Sequence, residues 1–199
     1  MAKTTTTTLL QEWTQVAAQA IVHSGEAAID AAYDNWLHLQ VGLDSATPHA
    51  GTKFVVQVSS AAEGDEDWHE LFPLPILCVG TAAAEALAAT EPQGETVIAV
   101  ADTTGFTTYG IFLFLKDNVI ADSEIVEQKS HVANTSITLL DGLTNEHTAA
   151  DALWNIADSR AWLIGGGCGK RVRVVVDNNY DSGASTFCYR AQLVQVPTL

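Results

Sequence analysis

The chain has 199 residues, of which 24 are acidic and 9 are basic, so its formal net charge is −15, and 47% of its residues are hydrophobic. This length is sufficient for one domain or two small ones with a hydrophobic core, and the apolar content argues against intrinsic disorder. The excess of carboxylates argues against binding to free nucleic acid or to anionic membranes, because both require clustered lysine and arginine.

The charge is distributed unevenly along the chain. Residues 1–159 contain 22 acidic and 4 basic side chains, a net charge of −18, whereas residues 160–199 contain 2 acidic and 5 basic ones, a net charge of +3. A basic C-terminal segment on an acidic body can attract further copies of the chain or a partner of mixed charge. The alternative is a single folded domain whose basic strand happens to lie at its end.

The three cysteines, Cys78, Cys168 and Cys188, are odd in number, far apart and outside any CxxC pattern. Neither a zinc site nor a disulfide framework is indicated, so we expect buried free thiols in a reducing compartment. The first residues lack the apolar core of a signal peptide, and the sequence has no run of about 18 apolar residues that could span a membrane. We therefore expect a soluble protein that is made in the cytoplasm.

Residues 1–20 are predicted to form an N-terminal threonine-rich arm with a possible short helix. The five consecutive threonines at 4–8 offer nothing that a core could bury. In residues 9–21 the apolar side chains recur every three or four positions, a spacing typical of one face of a helix.

Residues 21–80 are predicted to form a first β subdomain. Residues 36–41 alternate between apolar and polar side chains, as a half-buried strand does. Residues 54–58 form a second strand, and the two are expected to pair as a hairpin across a long loop. The prolines within 71–79 predict an irregular edge segment, since proline cannot donate to a ladder.

Residues 81–95, which are rich in alanine and glutamate, are predicted to be a linker, and residues 96–199 a second β subdomain. Short apolar segments separated by turn residues recur there about every 8–12 residues, a pattern typical of antiparallel sandwiches and barrels. The predicted strands are 96–101, 110–115, 123–128, 136–140, 161–164, 171–176 and 187–196.

The predicted fold class is therefore all-β: an antiparallel β-sandwich or barrel of one or two subdomains, with at most one or two short helices. Residues 147–158 fit a helix as well as a strand. The alternation within 171–176 places Arg171, Arg173 and Val175 on one face and the remaining valines on the other.

No catalytic, cofactor-binding or metal-binding residues are predicted. Residues 165–170 (GGGCGK) resemble a phosphate-binding loop superficially, but Ile164 and Arg171 stand where that motif needs glycine and Ser or Thr. The sequence has no GxSxG elbow, and the acidic residues 63–67 lack EF-hand spacing. The histidines are expected to be surface or hydrogen-bonded structural residues: His23, His38, His49, His69, His131 and His147.

Several of these segments, in this order and spacing, resemble a module common in tailed-bacteriophage structural proteins. They are residues 96–106 (TVIAVADTTGF), 110–113 (GIFL), 124–126 (EIV), 138–143 (TLLDGL) and 147–149 (HTA). The resemblance covers about residues 96–152 and departs from the family at Ala150, where the family often has glycine. Separately, residues 51–60 (GTKFVVQVSS) with Asp67 and Trp68 resemble a sandwich hairpin of small phage virion proteins.

The resemblance implies a rigid β module, in which Gly105 permits a tight turn and Phe106 fills the core beside it. It implies a non-enzymatic structural protein of a phage virion, without cofactors, and specifically a capsid-associated decoration (cement) or minor capsid protein that stabilises the shell through subunit contacts. A neck or head–tail adaptor, or a tail or baseplate component, is the alternative. Its partners would be other copies of the chain, in a homo-oligomer, and the major capsid protein or other virion proteins.

The residues expected to contact these partners belong to the N-terminal arm and the basic segment, with the basic side chains facing acidic surface on a neighbouring subunit. They are Thr4, Thr5, Thr6, Leu9, Leu10, Arg160, Trp162, Lys170, Arg171, Arg173 and Arg190. The alternative for the basic residues is a plain solvated face.

Two functions of other classes stay open. A receptor- or glycan-binding module would present an exposed aromatic platform, for which the candidates are Trp36, Trp68, Trp154 and Trp162. A hydrolase would need a cleft that holds a histidine or carboxylate with a perturbed pKa.

Overall fold

The computed structural model describes residues 4–45, 52–64, 67–74, 82–108, 110–165, 167–178 and 186–198. In these residues the chain forms fifteen β-strands in three antiparallel sheets, and its helical content is one 3-10 turn at Ile120–Asp122. The prediction of an all-β fold is therefore confirmed. The described segments contain no helix that is long and apolar enough to cross a lipid bilayer.

The strands in chain order are β1 (Thr6–Val16), β2 (Ile21–His23), β3 (Ala27–Ala28), β4 (Tyr33–Leu43), β5 (Lys53–Ser59), β6 (Trp68–Leu74), β7 (Ala84–Ala86), β8 (Val97–Ala99), β9 (Phe112–Lys116), β10 (Glu124–Val132), β11 (Ser136–Leu139), β12 (Ala152–Trp154), β13 (Ala157–Ile164), β14 (Arg171–Asp177) and β15 (Phe187–Pro197).

Two of the sheets form a sandwich. One has the strand order β1-β15-β4-β13 and the other β2-β14-β5-β6, with β3 as a second short partner of β14. The core between them is built by alternation, because β14 buries its valines while Arg171 and Arg173 lie on its other face, as the sequence predicted. The opposing strand β4 contributes fully buried side chains to the same core: Leu37, Leu39, Val41 and Leu43.

The order of the strands in the sandwich is that of an eight-stranded jelly roll. When β2 and β3 are counted as one interrupted strand and the sandwich strands are numbered in chain order, the two sheets read 1-8-3-6 and 2-7-4-5. Most neighbours within a sheet are therefore distant in sequence, which is characteristic of the double-sheet jelly roll.

Residues 84–154 leave the sandwich between β6 and β13 and form the third sheet, in the order β7-β12-β9-β10-β11-β8. We call residues 84–154 the inserted unit. A bridge between Leu87 and Val100 joins its two edge strands, so the sheet curls around a core of its own. The residues that resemble the phage module, 96–152, lie within this unit.

The turn expected at the start of that module is present. A hydrogen bond of 2.9 Å from the amide of Phe106 to the carbonyl of Thr103 closes it, and the Phe106 side chain is buried in the core of the inserted unit. Gly110 has a φ of +67°, a conformation that favours glycine. In the segment of the second resemblance, β5 pairs with β6 as a hairpin and places Ser59 opposite Trp68.

The predicted N-terminal helix is wrong, because residues 6–16 form β1 at the edge of the four-stranded sheet, paired with β15. Leu10, Trp13 and Val16 are its buried side chains, and they lie three residues apart. Two irregularities of register, between Leu9 and Gln11 and between Gln11 and Thr14, break the usual alternation. A strand interrupted in this way buries residues at a spacing that resembles that of a helix.

The helical alternative for residues 147–158 is also wrong, since the described structure places β12 and the start of β13 there. Leu153 is fully buried because β12 lies between β7 and β9, opposite Glu85 and Leu115. Pairing on both sides satisfies the backbone of this short segment, which no local pattern in the sequence indicates.

The predicted grouping of the strands is corrected by the pairing. Strands β4 and β5 were expected to form a hairpin but lie in different sheets, and β13, β14 and β15 pair with strands from the first 59 residues instead of with those of residues 97–139. The predicted linker, 81–95, includes the short strand β7. A hairpin prediction pairs strands that follow each other in the sequence, whereas a jelly roll pairs strands that are far apart in it.

The cysteines agree with the prediction only in part. Cys188 is buried, and burial raises the pKa of its thiol far above the usual range, whereas Cys168 is exposed. Both are free thiols. Cys78 lies outside the described residues.

Candidate functional site

The inserted unit covers part of the outer face of the four-stranded sheet, around Gly42 of β4. Phe114 of β9 lies directly on the backbone of Gly42 in β4, where any side chain would occupy the same space. The Phe114 ring also packs against Trp13 of β1, with ring centroids 5.0 Å apart, and Cys188 completes this small core. The contact fixes the inserted unit on the sandwich.

A buried ion pair crosses the same contact. The Asp44 side chain, which is fully buried after β4, accepts a hydrogen bond of 2.7 Å from Nζ of Lys116 at the end of β9. Gln15 and Thr186 also donate to this carboxylate. The pair therefore ties the two units together where water is largely excluded.

The remaining part of this outer face is uncovered and mainly apolar. The register places Thr7, Val194, Trp36 and Leu163 in one row across β1, β15, β4 and β13. Leu9, Gln192, His38 and Ala161 form the adjacent row. We call these eight residues the open face. Its large apolar side chains are exposed: Leu163 by 53%, Leu9 by 44% and Trp36 by 39%.

The open face carries no formal charge at neutral pH. Its one titratable residue is His38, whose pKa is lowered by burial and by the nearby Arg190, although a hydrogen bond with Gln192 acts in the opposite direction. None of the eight residues is a carboxylate, but the next row along β4 on the same face holds the exposed Asp34, so two copies that meet here bring few carboxylates together for a chain with a net charge of −15.

The predicted contact residues of the N-terminal arm are only partly available for partners. Thr4, Thr5 and Thr6 are exposed, and Thr6 begins β1 opposite Gln195. Leu9 belongs to the open face, but Leu10 is 5% exposed and is part of the sandwich core. The arm is therefore an edge strand of the sheet, and only its outward side can contact a partner.

The predicted basic residues do not come together in one patch. Arg160 and Arg190 belong to the four-stranded sheet, whereas Lys170, Arg171 and Arg173 lie on or next to β14 of the other sheet. Trp162, the remaining predicted contact, is half-buried against the sandwich core.

Most of these cations have acidic or aromatic partners within the chain. Arg160 pairs with Asp158 at 2.9 Å, Arg190 with Glu12 at 3.3 Å, and Arg171 with Glu26. The guanidinium groups of Arg171 and Arg173 lie 5.0 and 4.1 Å from the centroid of the Trp68 ring. The basic residues of 160–199 are therefore better explained as partners of side chains within the chain than as a surface that binds an acidic partner.

A groove of about 720 Å³ lies on the outer face of the five-stranded sheet, between β2 and β6. Phe72 supplies an aromatic wall, and His23, Lys53, Glu70 and Asp177 supply polar groups. None of the four tryptophans proposed for a glycan platform lines this groove. Trp68 is in the same sheet but lies against Arg171 and Arg173, Trp36 is on the opposite sheet, and Trp154 and Trp162 pack against cores.

At one end of the inserted unit, a fully buried histidine lies among three carboxylates. Nε2 of His147 is 2.9 Å from Oε1 of Glu124, and Nδ1 is 3.2 Å from Oδ2 of Asp117 and 3.6 Å from Oδ2 of Asp151. These residues come from the end of β9, the start of β10 and the loop before β12. Their separation in sequence explains why no motif revealed the cluster.

The electrostatics of the cluster favour a positive charge at the histidine. Burial by itself would lower the pKa of His147, but the hydrogen bond with Glu124 and the charges of Glu124, Asp117 and Asp151 raise it overall. Burial and the nearby Asp151 raise the pKa of Asp117. Burial opposes ionisation of Glu124, yet its hydrogen bonds from His147, Thr144 and Asn145 lower its pKa.

Comparisons with known proteins add little to this geometry. A scan against protein-family models gives no match, and a search of curated proteins gives no significant one. Among solved structures, the chain shows a weak similarity to a chain in the structure of infectious bursal disease virus, Gt strain, with a TM-score of 0.23 and 13% sequence identity. The alignment covers 98% of this chain and 41% of the viral chain, so this chain spans about two fifths of the length of that one. A similarity of this size carries no argument about function.

Proposed function

We propose that this protein is a non-enzymatic structural component of a phage virion, a decoration or minor capsid protein that associates with further copies of itself through the open face. The observation that carries the proposal is that face, where Leu9, Trp36 and Leu163 are exposed without a formal charge among its eight residues, next to the part of the sheet that the inserted unit covers. Contiguous apolar surface of this kind marks interaction sites on soluble proteins.

The charge distribution favours a second copy as the occupant. Two chains of net charge −15 repel each other over most of their surfaces. Contact through the open face buries apolar area, and none of the eight residues that it places in the interface is a carboxylate, so the electrostatic cost of association there is low. Repetition around a closed shell would then add many such weak contacts.

The fold is compatible with this role. Double-sheet jelly rolls are used by viral capsid proteins and also by lectins, so the fold alone does not select the function. The module resemblance within the inserted unit supports the virion assignment. A neck, adaptor or tail component would use the same kind of contact in fewer copies.

Replacing Leu163 by glutamate is expected to weaken self-association by at least about tenfold. The side chain is 53% exposed in the folded chain, so the change places a charge in the interface without disturbing the core. Sedimentation velocity over a range of concentrations measures the effect. The matched control is Leu140→Glu, which adds the same charge at a leucine that is 51% exposed on the inserted unit.

The proposed contact predicts that the control associates as the unmodified protein does and that Leu163→Glu does not. A monomeric unmodified protein, or equal behaviour of the two variants, contradicts self-association through the open face. The virion assignment is tested separately by quantitative mass spectrometry of purified particles. Hundreds of copies support decoration, about a dozen support a neck component, and absence from the particles refutes the assignment.

A glycan-binding module is the second candidate, favoured by the groove on the five-stranded sheet. Its volume and its combination of one aromatic wall with several polar groups are typical of small-ligand sites. Binding on a glycan array that disappears in Phe72→Ala would support this candidate, and silence of the unmodified protein would count against it.

A further inference from the structure

Three atoms with lone pairs converge in the buried cluster of the inserted unit. They are Nδ1 of His147 and one carboxylate oxygen each from Asp117 and Asp151, and all lie within 4.8 Å of one another. The His147 side chain has no solvent exposure, and its Nδ1 makes no hydrogen bond of normal geometry. A buried imidazole nitrogen that faces two carboxylate oxygens requires a positively charged species, either a proton or a metal ion, between them.

The tautomer of the histidine is fixed by its other nitrogen. Oε1 of Glu124 lies 2.9 Å from Nε2 and also accepts hydrogen bonds from the amides of Thr144 and Asn145. Because an ionised carboxylate only accepts, Nε2 carries the proton, and in the neutral imidazole Nδ1 offers a lone pair to the centre of the cluster. A histidine that binds a metal typically donates its second N–H to a carboxylate in this way.

The two separations from Nδ1 of His147 fit the coordination shell of a small divalent ion, and the two carboxylate oxygens lie within 4.8 Å of each other. Tetrahedral ligands at about 2.0–2.1 Å from zinc are about 3.3–3.4 Å apart. Nδ1 of His147 lies 3.2 Å from the Asp117 oxygen and 3.6 Å from the Asp151 oxygen. A proton on Nδ1 can point at only one acceptor, whereas a metal ion can contact all three atoms.

The carboxylates are held in place by donors outside the cluster. Asp151 accepts from the amide of Thr148 at 2.6 Å and from the amide and side chain of Asn118 at 3.0 and 2.9 Å. Asp117 accepts from the amide of Val119 at 2.6 Å through Oδ1, which leaves Oδ2 directed at His147. Such outer hydrogen bonds orient metal ligands.

Of the three ligands, Asp117 is the one that borders solvent, with a side chain that is 12% exposed. Asp117 and Asn118 line a surface cavity of about 360 Å³, together with Lys116 and Trp154. Water can therefore complete the coordination shell from the Asp117 side, because the three protein ligands occupy only part of it.

We propose that Asp117, His147 and Asp151 bind one divalent transition-metal ion, for which zinc is the best fit. An imidazole nitrogen favours zinc, manganese or related ions over calcium and magnesium, which prefer all-oxygen shells. The ion would replace the proton on Nδ1 and connect the end of β9, the loop at His147 and the start of β12. Its role is to stabilise this end of the inserted unit.

The test uses the full chain, freed of metal with a chelator and then dialysed. Titration with zinc chloride is followed by calorimetry and by the thermal unfolding midpoint, and cobalt substitution reports the coordination by its visible absorption. We expect one zinc ion per chain, a midpoint that rises with zinc concentration, and no comparable response to calcium.

Asp117→Asn is the diagnostic variant. It removes the charge of the ligand that lines the surface cavity and keeps the shape of the residue. We expect its zinc affinity to fall by at least about tenfold. Asp141→Asn, at an exposed carboxylate of the inserted unit outside the cluster, is the matched control and should bind as the unmodified chain does. A folded, unmodified chain without stoichiometric zinc binding overturns the proposal, and so does equal affinity of the Asp117→Asn variant or preference for calcium.

Discussion

Replacing Gly42 by alanine is expected to lower the free energy of unfolding by about 2–3 kcal/mol. A β-carbon at this position would lie 2.6 Å from the β-carbon of Phe114 and closer still to its ring. Phe114 is fully buried between the sandwich and the inserted unit, so it has no space into which to retreat without breaking its contact with Trp13. Denaturant unfolding followed by circular dichroism and tryptophan fluorescence measures the change.

Gly167→Ala provides the matched control for this substitution. A β-carbon at Gly167 would meet no atom within 4 Å, so the same chemical change should leave the stability within about 0.5 kcal/mol. If Gly42→Ala were equally neutral, the close seating of Phe114 on the sheet would not contribute to the stability of the folded chain.

Replacing Lys116 by methionine is expected to destabilise the protein by about 2–3 kcal/mol. The change leaves the Asp44 carboxylate buried without a cation, and loss of one partner of a buried pair is typically costly. The hydrogen bonds that Gln15 and Thr186 donate to Asp44 remain. The loss of unfolding free energy should therefore be smaller than the largest losses seen when a buried ion pair is broken. Chemical unfolding at neutral pH and moderate salt measures the free energy of unfolding.

Two further variants separate the charge effect from a packing effect. Asp44→Asn combined with Lys116→Met removes both charges and should recover at least about 1 kcal/mol relative to Lys116→Met alone. Lys129→Met, at an exposed lysine of β10, should change the stability by less than about 0.5 kcal/mol. No recovery in the double variant would mean that the lysine stem, and not the ion pair, accounts for the loss.

The two units depend on each other through this contact. The sandwich presents a glycine at position 42 and a buried carboxylate at position 44, and the inserted unit supplies the matching aromatic ring and lysine. The inserted unit covers the sheet around these positions and leaves the open face exposed beside it. The proposed function rests on that exposed face.

The local strand patterns were predictable to a large extent. Alternation in residues 36–41 and 171–176 correctly identified the interiors of β4 and β14, and their buried valines and leucines were on the expected side. The segment 96–106 correctly indicated a turn with Phe106 in a core. The strand interiors follow from side-chain spacing within a single strand, which the sequence displays directly, whereas the core position of Phe106 was implied by the resemblance to the phage module.

The candidate sites were predicted less well, because they are made of residues that are far apart in sequence. The open face combines side chains of β1, β4, β13 and β15, and only Leu9 among its large apolar residues was predicted as a contact. The arginines were expected on one shared surface, but the jelly roll places them on two sheets, beside Glu12, Glu26 and Asp158. The His147 cluster had no signal, since its three carboxylates lie up to 30 residues away from the histidine.

The all-β class, the positions of most strands and their apolar faces were evident from the amino-acid sequence, because these properties depend on the period of the side chains along one segment. The folded chain alone shows which strands are neighbours, since pairing between distant segments leaves no mark on local spacing. It therefore also shows which part of the apolar sheet is covered, which arginines are neutralised, and that His147 lies among Asp117, Glu124 and Asp151.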